Sequence, residues 1–318
     1  MKDKHPYTVD VSTELAVNVV KFSQPRTIRM DVQKYLERIG FQGNVEISLA
    51  CLTKLQNAHQ LHVPFENLDL FTNRKKLLRE EDLYEQIVGQ HRGGWCHELN
   101  GLFAWLLRTL GFEVKMISAN YFHPERRTFY GDFDHMALIV RLGGQDYLTD
   151  VGFGNIHQAY DPLRMTEGDV QCQPGGKYKL SRSGSFWVLQ HQVREVVGHH
   201  NPPLQQVNPP GAWLTLYRYD VSARALAEFQ ARCDEYQTGQ DLLLSTLPIT
   251  IIKSDQGGTV NTLTGRRFTR VRFEGEARDL RTNQTNLSSQ DYNQKLKTVF
   301  GLELAQSLDI ETIVHEGK

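Results

Sequence analysis

Apolar positions recur along the chain with two different periods, and the change between them divides it. Leu99, Leu102, Phe103, Leu106, Leu107 and Leu110 stand at helical spacing and make one buried face. Gly111 supplies the stop. Val32, Tyr35, Leu36 and Ile39 form a similar face ahead of Gly40, and helical patterns recur over 49–61 and 80–88. The spacing predicts a helical bundle to about Gly111. From Val114 the alternation shortens to that of strands. The runs 114–122, 135–142, 147–151, 177–181 and 186–192 predict an antiparallel sheet or barrel. Four prolines within 197–211 obstruct regular structure and mark a linker. Beyond it, 217–221, 249–253, 260–263 and 268–273 read as strands. The segment 288–300 reads as a closing helix with Leu296, Val299 and Phe300 on one face. Residues 1–29 carry scattered charge and little periodicity, and read as an extension.

Cys96 falls where a glycine pair, Gly93-Gly94, gives way to the strongest helical pattern. A helix N-terminus offers unpaired N–H groups and the positive end of the dipole, both of which favour a thiolate over a thiol. The plain alternative is a small buried core cysteine. A base is available from a hairpin. Residues 135–142 and 145–151 flank Gly143-Gly144, a pair suited to a two-residue primed turn. Leu142 then faces Gln145, and Asp150 falls opposite Ala137. His135 and Asp150 therefore share a face one diagonal step apart, within side-chain reach. A slip of one residue would separate them.

The quantity of charge narrows the class without naming it. The chain has 318 residues, 40% hydrophobic and 23% charged, with a net charge of −1. That is a globular composition and not that of a dedicated nucleic-acid binder. No apolar run reaches membrane-spanning length, and the N-terminus lacks a signal-peptide core, so neither nucleic acid nor membrane is an expected partner. Cys51, Cys96, Cys172 and Cys233 are far apart and form no disulfide framework, which points to a reducing cytoplasm. The acceptor patterns at Asn283 and Asn286 are then coincidental. His91 and His97 beside Cys96 raise a zinc site with His135 or Asp150. The ligand spacings of such sites are absent, and no metal is expected.

The motifs Arg92-Gly-Gly-Trp-Cys96-His-Glu98, His135-Met136, Asp150-Val-Gly-Phe-Gly154 and Val63-Pro-Phe-Glu-Asn-Leu68 closely resemble those of the arylamine N-acetyltransferases. Their order and separations agree as well. The resemblance covers about 30–300, densely up to Gly154 and thinly after it. It implies an α+β fold with a helical bundle, an antiparallel β-barrel and an α/β lid around a core like that of cysteine proteases and transglutaminases. The division it suggests is 1–29 as extension, 30–112 as the bundle carrying Cys96, 113–207 as the barrel carrying His135 and Asp150, and 208–318 as the lid. It further implies a xenobiotic-metabolising transferase that moves acetyl from acetyl-CoA to arylamines and arylhydrazines. The route would be ping-pong, through an acetyl-cysteine on Cys96, with His135 and Asp150 completing the triad.

By the same resemblance Phe153 forms an aromatic wall beside the amine, with Gly152 and Gly154 letting backbone approach a ligand. The plain reading of these three is a tight turn after Asp150. Tyr121 corresponds to a residue lining the acceptor pocket, and would otherwise be a strand-buried tyrosine. Asn155 replaces a basic residue frequent in the family. Glu66 and Arg92 read as a buried structural ion pair. Arg266, Arg267, Arg270 and Arg272 read as a solvated strand face, with CoA phosphates the alternative partner. Two rival functions use the same triad: an amide hydrolase, and an amide synthase closing an aryl-amine macrocycle.

Overall fold

The computed structural model describes residues 29–71, 75–124, 126–198, 209–238, 248–255, 259–274, 278–304 and 307–309. The expected extension up to residue 28 and the proline-rich core of the linker, 199–208, lie outside the described residues.

The helical patterns become helices at nearly the predicted places. They are α1 (Val32–Arg38), α2 (Leu49–His62), α3 (Glu80–Tyr84), α4 (Cys96–Thr109) and α6 (Ser289–Thr298), and between the last two a further helix, α5 (Gln230–Thr238), forms where no helical pattern was read. Asp31 and Ser48 cap α1 and α2 by accepting first-turn N–H groups. After α3 the chain widens into one π-helical turn, Glu85–Gly89. The apolar stripe of α4 is the centre of the first core, where Leu99, Leu102, Phe103, Leu106 and Leu107 are all buried.

The strand His135–Leu142 forms as predicted, and it is buried on both faces. Met136, Leu138 and Val140 enter the bundle core, whereas Ala137 and Ile139 enter a second core inside the barrel. This explains why the strand reads as a continuous apolar run rather than as a strict alternation. Its hairpin turn, Gly143-Gly144, has φ of 56° and 84°, as a type I′ turn requires. The ladder pairs Leu142 with Gln145 and runs to Leu138 opposite Thr149.

The strands form two sheets. The larger has nine among the described residues and curls into a nearly closed barrel. Its two edge strands, Leu163–Arg164 and Val170–Gln173, are joined by side chains instead of a backbone ladder. Gln171 accepts from the Arg164 N–H at 2.8 Å and donates to the Arg164 carbonyl at 3.0 Å. Gln173 does the same for Asp161 at 3.0 and 2.9 Å. Each amide imitates a peptide unit of the missing ladder.

Chain segments and layers do not coincide at residue 207. Trp213–Tyr219 sits in the barrel sheet between Glu113–His123 and Phe186–Gln192. Phe65–Glu66 and Glu195–Gly198 join the second sheet at its two ends. Phe229 and Cys233, at α5, pack into the bundle core. The prolines interrupt the chain without ending the barrel. The second sheet carries its own core, in which α6 contributes Tyr292 and Leu296.

Candidate active site

A buried charge network builds the turn that presents Cys96. Arg92 reaches Glu66 at 2.6 Å and Asp69 at 2.9 Å. Lys76 meets Asp69 and Glu98 at 2.6 Å each and Gln86 at 2.7 Å. Glu98 then caps α4 by accepting the Trp95 N–H at 3.0 Å. The predicted Glu66–Arg92 pair is thus one end of a longer chain of charges. Asp69 and Lys76 are its missed members, since nothing in their spacing distinguishes them from surface charges, whereas Glu98 stands in the cysteine motif. Such a network fixes geometry more than it adds stability, because each ion loses its hydration.

The structure brings Cys96, His135 and Asp150 together, with exposures of 4%, 0% and 6%. Nε2 of His135 donates to Oδ2 of Asp150 at 2.6 Å. The Tyr121 hydroxyl lies 3.0 Å from Nδ1 of the same ring. Asp150 accepts three further bonds: from Tyr217 on Oδ2 at 3.1 Å, and from Asn100 and the Gly152 N–H on Oδ1 at 2.9 Å each. Cys96 Sγ donates to the carbonyl of Asp134, the residue before His135, at 3.7 Å.

The electrostatics favour an ion pair. Burial pushes the Cys96 thiol up, but the charges and hydrogen bonds of His97 and His135 outweigh it and bring the thiol down to about 5. Burial also opposes charge on His135, and Asp150, with a smaller contribution from Cys96, lifts the imidazole to about 10. Thiolate beside imidazolium is the form that results at neutral pH.

Aromatic rings enclose the pair. Phe153 lies 5.8 Å from the His135 ring and Tyr121 4.9 Å, centroid to centroid. Tyr217 is 5.0 Å away on another side. Gly152 packs so closely that a Cβ there would meet the Cys96 Cα at 2.8 Å. Gly154 has φ of +64° and lies against the Phe65 ring. Asn155 stands next to it and closes a local turn by accepting the His157 N–H at 3.1 Å.

Other sequence candidates fall elsewhere. His91 is exposed, with φ of 53°. Among the described residues no group of three or more His, Cys, Asp or Glu could hold a metal. Arg270 and Arg272 are exposed on one face of their strand, and Arg270 bonds Asn261 at 3.0 Å. Arg266 donates to the Leu287 carbonyl at 3.0 Å. Asn100, Tyr217 and Asp134 also stand at the site, outside the sequence candidates. Asn100 had a signal, being a lone amide one turn after Cys96 on an apolar face. Tyr217 had none, because its strand follows the linker.

A family model described as N-acetyltransferase matches residues 48–308. The chain belongs to the arylamine N-acetyltransferase family. A pineal-gland arylamine N-acetyltransferase isozyme of Gallus gallus is 30% identical over 277 residues, 86% of this chain and 95% of the relative. Arylamine N-acetyltransferase 2 of Mus musculus is 28% identical over 285 residues, 88% and 96% of the two chains. The crystal structure of the Mycobacterium smegmatis arylamine N-acetyltransferase superposes with a TM-score of 0.75 at 27% identity, over 90% of this chain and 98% of that one. The Mycobacterium marinum enzyme in complex with CoA does so with 0.75 at 25% identity, over the same shares. Among the described residues of this arylamine N-acetyltransferase family member, no helix is long and apolar enough to cross a membrane.

Proposed function

We propose that this chain transfers the acetyl group of acetyl-CoA to the nitrogen of arylamines and arylhydrazines, by a ping-pong route through an acetyl thioester on Cys96. The observation that carries the reading is the buried relay from Cys96 through His135 to Asp150, with its 2.6 Å imidazole–carboxylate bond. The CoA complex of the Mycobacterium marinum relative supports CoA as donor. The relatives' names support the arylamine acceptor.

In the first half-reaction the Cys96 thiolate attacks the acetyl carbonyl, the bond to the CoA sulfur breaks, and CoA leaves with a proton from His135. The backbone N–H groups at the first turn of α4 are the simplest donors for the developing oxyanion. In the second, the amine nitrogen attacks the thioester, His135 takes its proton, and the Cys96 thiolate departs. Asp150 keeps the imidazole oriented throughout and stabilises its charge whenever it holds the second proton. Phe153 and Tyr121 would bound the acceptor ring, while Gly152 and Gly154 give it backbone clearance. The near-complete burial of Cys96, His135 and Phe153 favours a small acyl group shielded from water. No feature of the site favours hydrolysis or macrocycle closure.

Intact mass after brief mixing with acetyl-CoA, without amine, tests the reading. One acetyl group on Cys96, removed by added arylamine, is expected. An adduct on another residue, or none, overturns it.

A further inference from the structure

Asp150 holds Nε2 of His135, so the proton that this ring gives and takes in the reaction sits on Nδ1. That nitrogen already has a partner. The Tyr121 hydroxyl lies 3.0 Å from it and 3.3 Å from the Phe153 carbonyl. The strand register builds the contact. Ala119 stands opposite His135, so Tyr121, two residues on, lies on the same face as its diagonal neighbour. Directly opposite Tyr121 is Tyr217, whose hydroxyl donates to Oδ2 of Asp150 at 3.1 Å. Two paired tyrosines thus hold the two ends of the imidazole–carboxylate couple. The Tyr121 ring is packed against Phe153 at 5.6 Å, centroid to centroid, and against the imidazole itself.

We propose that the Tyr121 hydroxyl is a positioning group for His135, bonded to Nδ1 in both protonation states of the ring. The inference rests on His135 as the acid and base of the proposed reaction. A hydroxyl has one hydrogen and two lone pairs. When His135 is an imidazolium, Nδ1–H donates to Oη and the hydroxyl hydrogen goes to the Phe153 carbonyl. When Nδ1 is bare, the hydroxyl turns and donates to its lone pair. In the second half-reaction the amine N–H bond breaks, its electron pair stays on nitrogen, and the proton forms the Nδ1–H bond. Oη gains and loses no proton as it turns. The bond to the charged ring is the stronger of the two, so the hydroxyl favours the imidazolium. A wall for the acceptor would need only the aromatic ring, and phenylalanine would serve as well. The other titratable and charged groups around the imidazole are Cys96 and His97 at the start of α4, Asp134 just ahead of its own strand, Asp150 across the hairpin and Tyr217. From α5, Arg232 donates to the Asp134 carboxylate at 2.8 Å and Tyr236 to the Asp134 carbonyl at 3.0 Å.

The test follows His135 by nitrogen NMR in histidine-labelled protein without acetyl-CoA, its signal assigned by its loss in His135→Gln. Tyr121→Phe keeps the ring and its packing but takes the acceptor from Nδ1. His135 should then titrate about one unit lower than in the wild type. The alkaline limb of Cys96 acetylation, measured with acetyl-CoA and no amine, should move by the same amount. The acid limb should stay, because His135 is charged on both sides of it. A tyrosine that only walls the acceptor would move neither, so a folded Tyr121→Phe with the wild-type His135 titration overturns the proposal. Tyr121→Met fills the space without ring or hydroxyl and should reproduce the shift. A shift in the methionine variant alone would assign the effect to the ring and overturn the proposal too. If His135 responds to Tyr121→Phe as expected yet wild-type Cys96 takes no acetyl group, the proposed function fails and this inference stands.

Discussion

Asn100 donates from Nδ2 to Oδ1 of Asp150 at 2.9 Å, which ties the helix that carries Cys96 to the end of the hairpin that carries His135. The same amide donates to the Met136 carbonyl at 2.7 Å, and its Oδ1 accepts the Val151 N–H at 3.0 Å. One side chain thus sets the distance between nucleophile and base from both sides. Neither element could drift without breaking buried hydrogen bonds.

Asp150→Asn keeps the size of the side chain but removes the charge that holds His135 protonated. Transfer of acetyl to Cys96 should fall by about three to four orders of magnitude, as when a triad carboxylate is neutralised elsewhere, with the melting temperature little changed. Near-normal acetylation in stopped-flow or intact-mass assays would make the carboxylate merely structural.

Tyr217→Phe removes one of the two donors on Oδ2 of Asp150 and leaves the ring packing intact. The loss is that of a single buried hydrogen bond to a charged group, on the order of 2 kcal/mol. Acetylation should slow by about tenfold to thirtyfold, far less than for Asp150→Asn. Equal losses in the two variants would contradict this ordering.

The pH dependence follows from two opposite shifts. The Cys96 thiol is lowered to about 5, so the thiolate persists as pH falls and is lost only through that value. His135 is raised to about 10, so the imidazolium is lost only as pH rises through that value. The rate of Cys96 acetylation should be bell-shaped, flat across neutrality, with limbs near these two values. A single acid limb near the ordinary thiol value would show that the ion pair does not form.

Gly152→Ala places a methyl group 2.8 Å from the Cys96 Cα and 2.9 Å from Nδ2 of Asn100. Both neighbours are held, so the thiol or the Asn100–Asp150 bond must shift. The expected result is at least a tenfold fall in acetylation with the barrel intact by circular dichroism. Unchanged kinetics would mean that the turn after Asp150 has slack.

His59 lies in the bundle core against Tyr35 and Phe103, and burial, helped by the charges of Arg38 and His62, lowers it to about 3. Between its ordinary value and about 3, the unfolded chain binds a proton that the folded chain does not. Stability therefore falls with acidification in that window, by up to about 1.4 kcal/mol per pH unit from this group. His59→Leu should flatten that slope in urea titrations at pH 7, 5 and 4. An unaltered slope would assign the acid sensitivity to other groups.

Where one face of an element decides its fate, its position was readable in the sequence. The α4 stripe, the glycine turn and the strand 135–142 form as expected, and the arithmetic of the turn puts His135 and Asp150 side by side. Elements that take their place from distant contacts were not readable. Arg278–Gln284 is a polar strand held in the second sheet by its neighbours, and Glu195–Gly198 pairs with it in parallel across a long stretch of sequence. The helix α5 has little apolar periodicity of its own, yet it delivers Arg232 and Tyr236 to the site. The triad letters lie in local motifs, whereas the groups that orient them come from helix, hairpin and a strand beyond the linker. Only tertiary structure assembles those.

The seam at Gln171 and Gln173 closes the barrel through side-chain amides, with the Arg164–Asp169 ion pair beside them at 2.8 Å. Every other strand boundary in that sheet is zipped by peptide groups, which any residue except proline supplies. Among the described residues this is the line where the zipper is made of side chains, so its closure, unlike that of the peptide ladders, is open to substitution. The seam strand Leu163–Arg164 pairs directly with Gln145–Thr149, so an opening there reaches the second strand of the hairpin that carries the reacting groups.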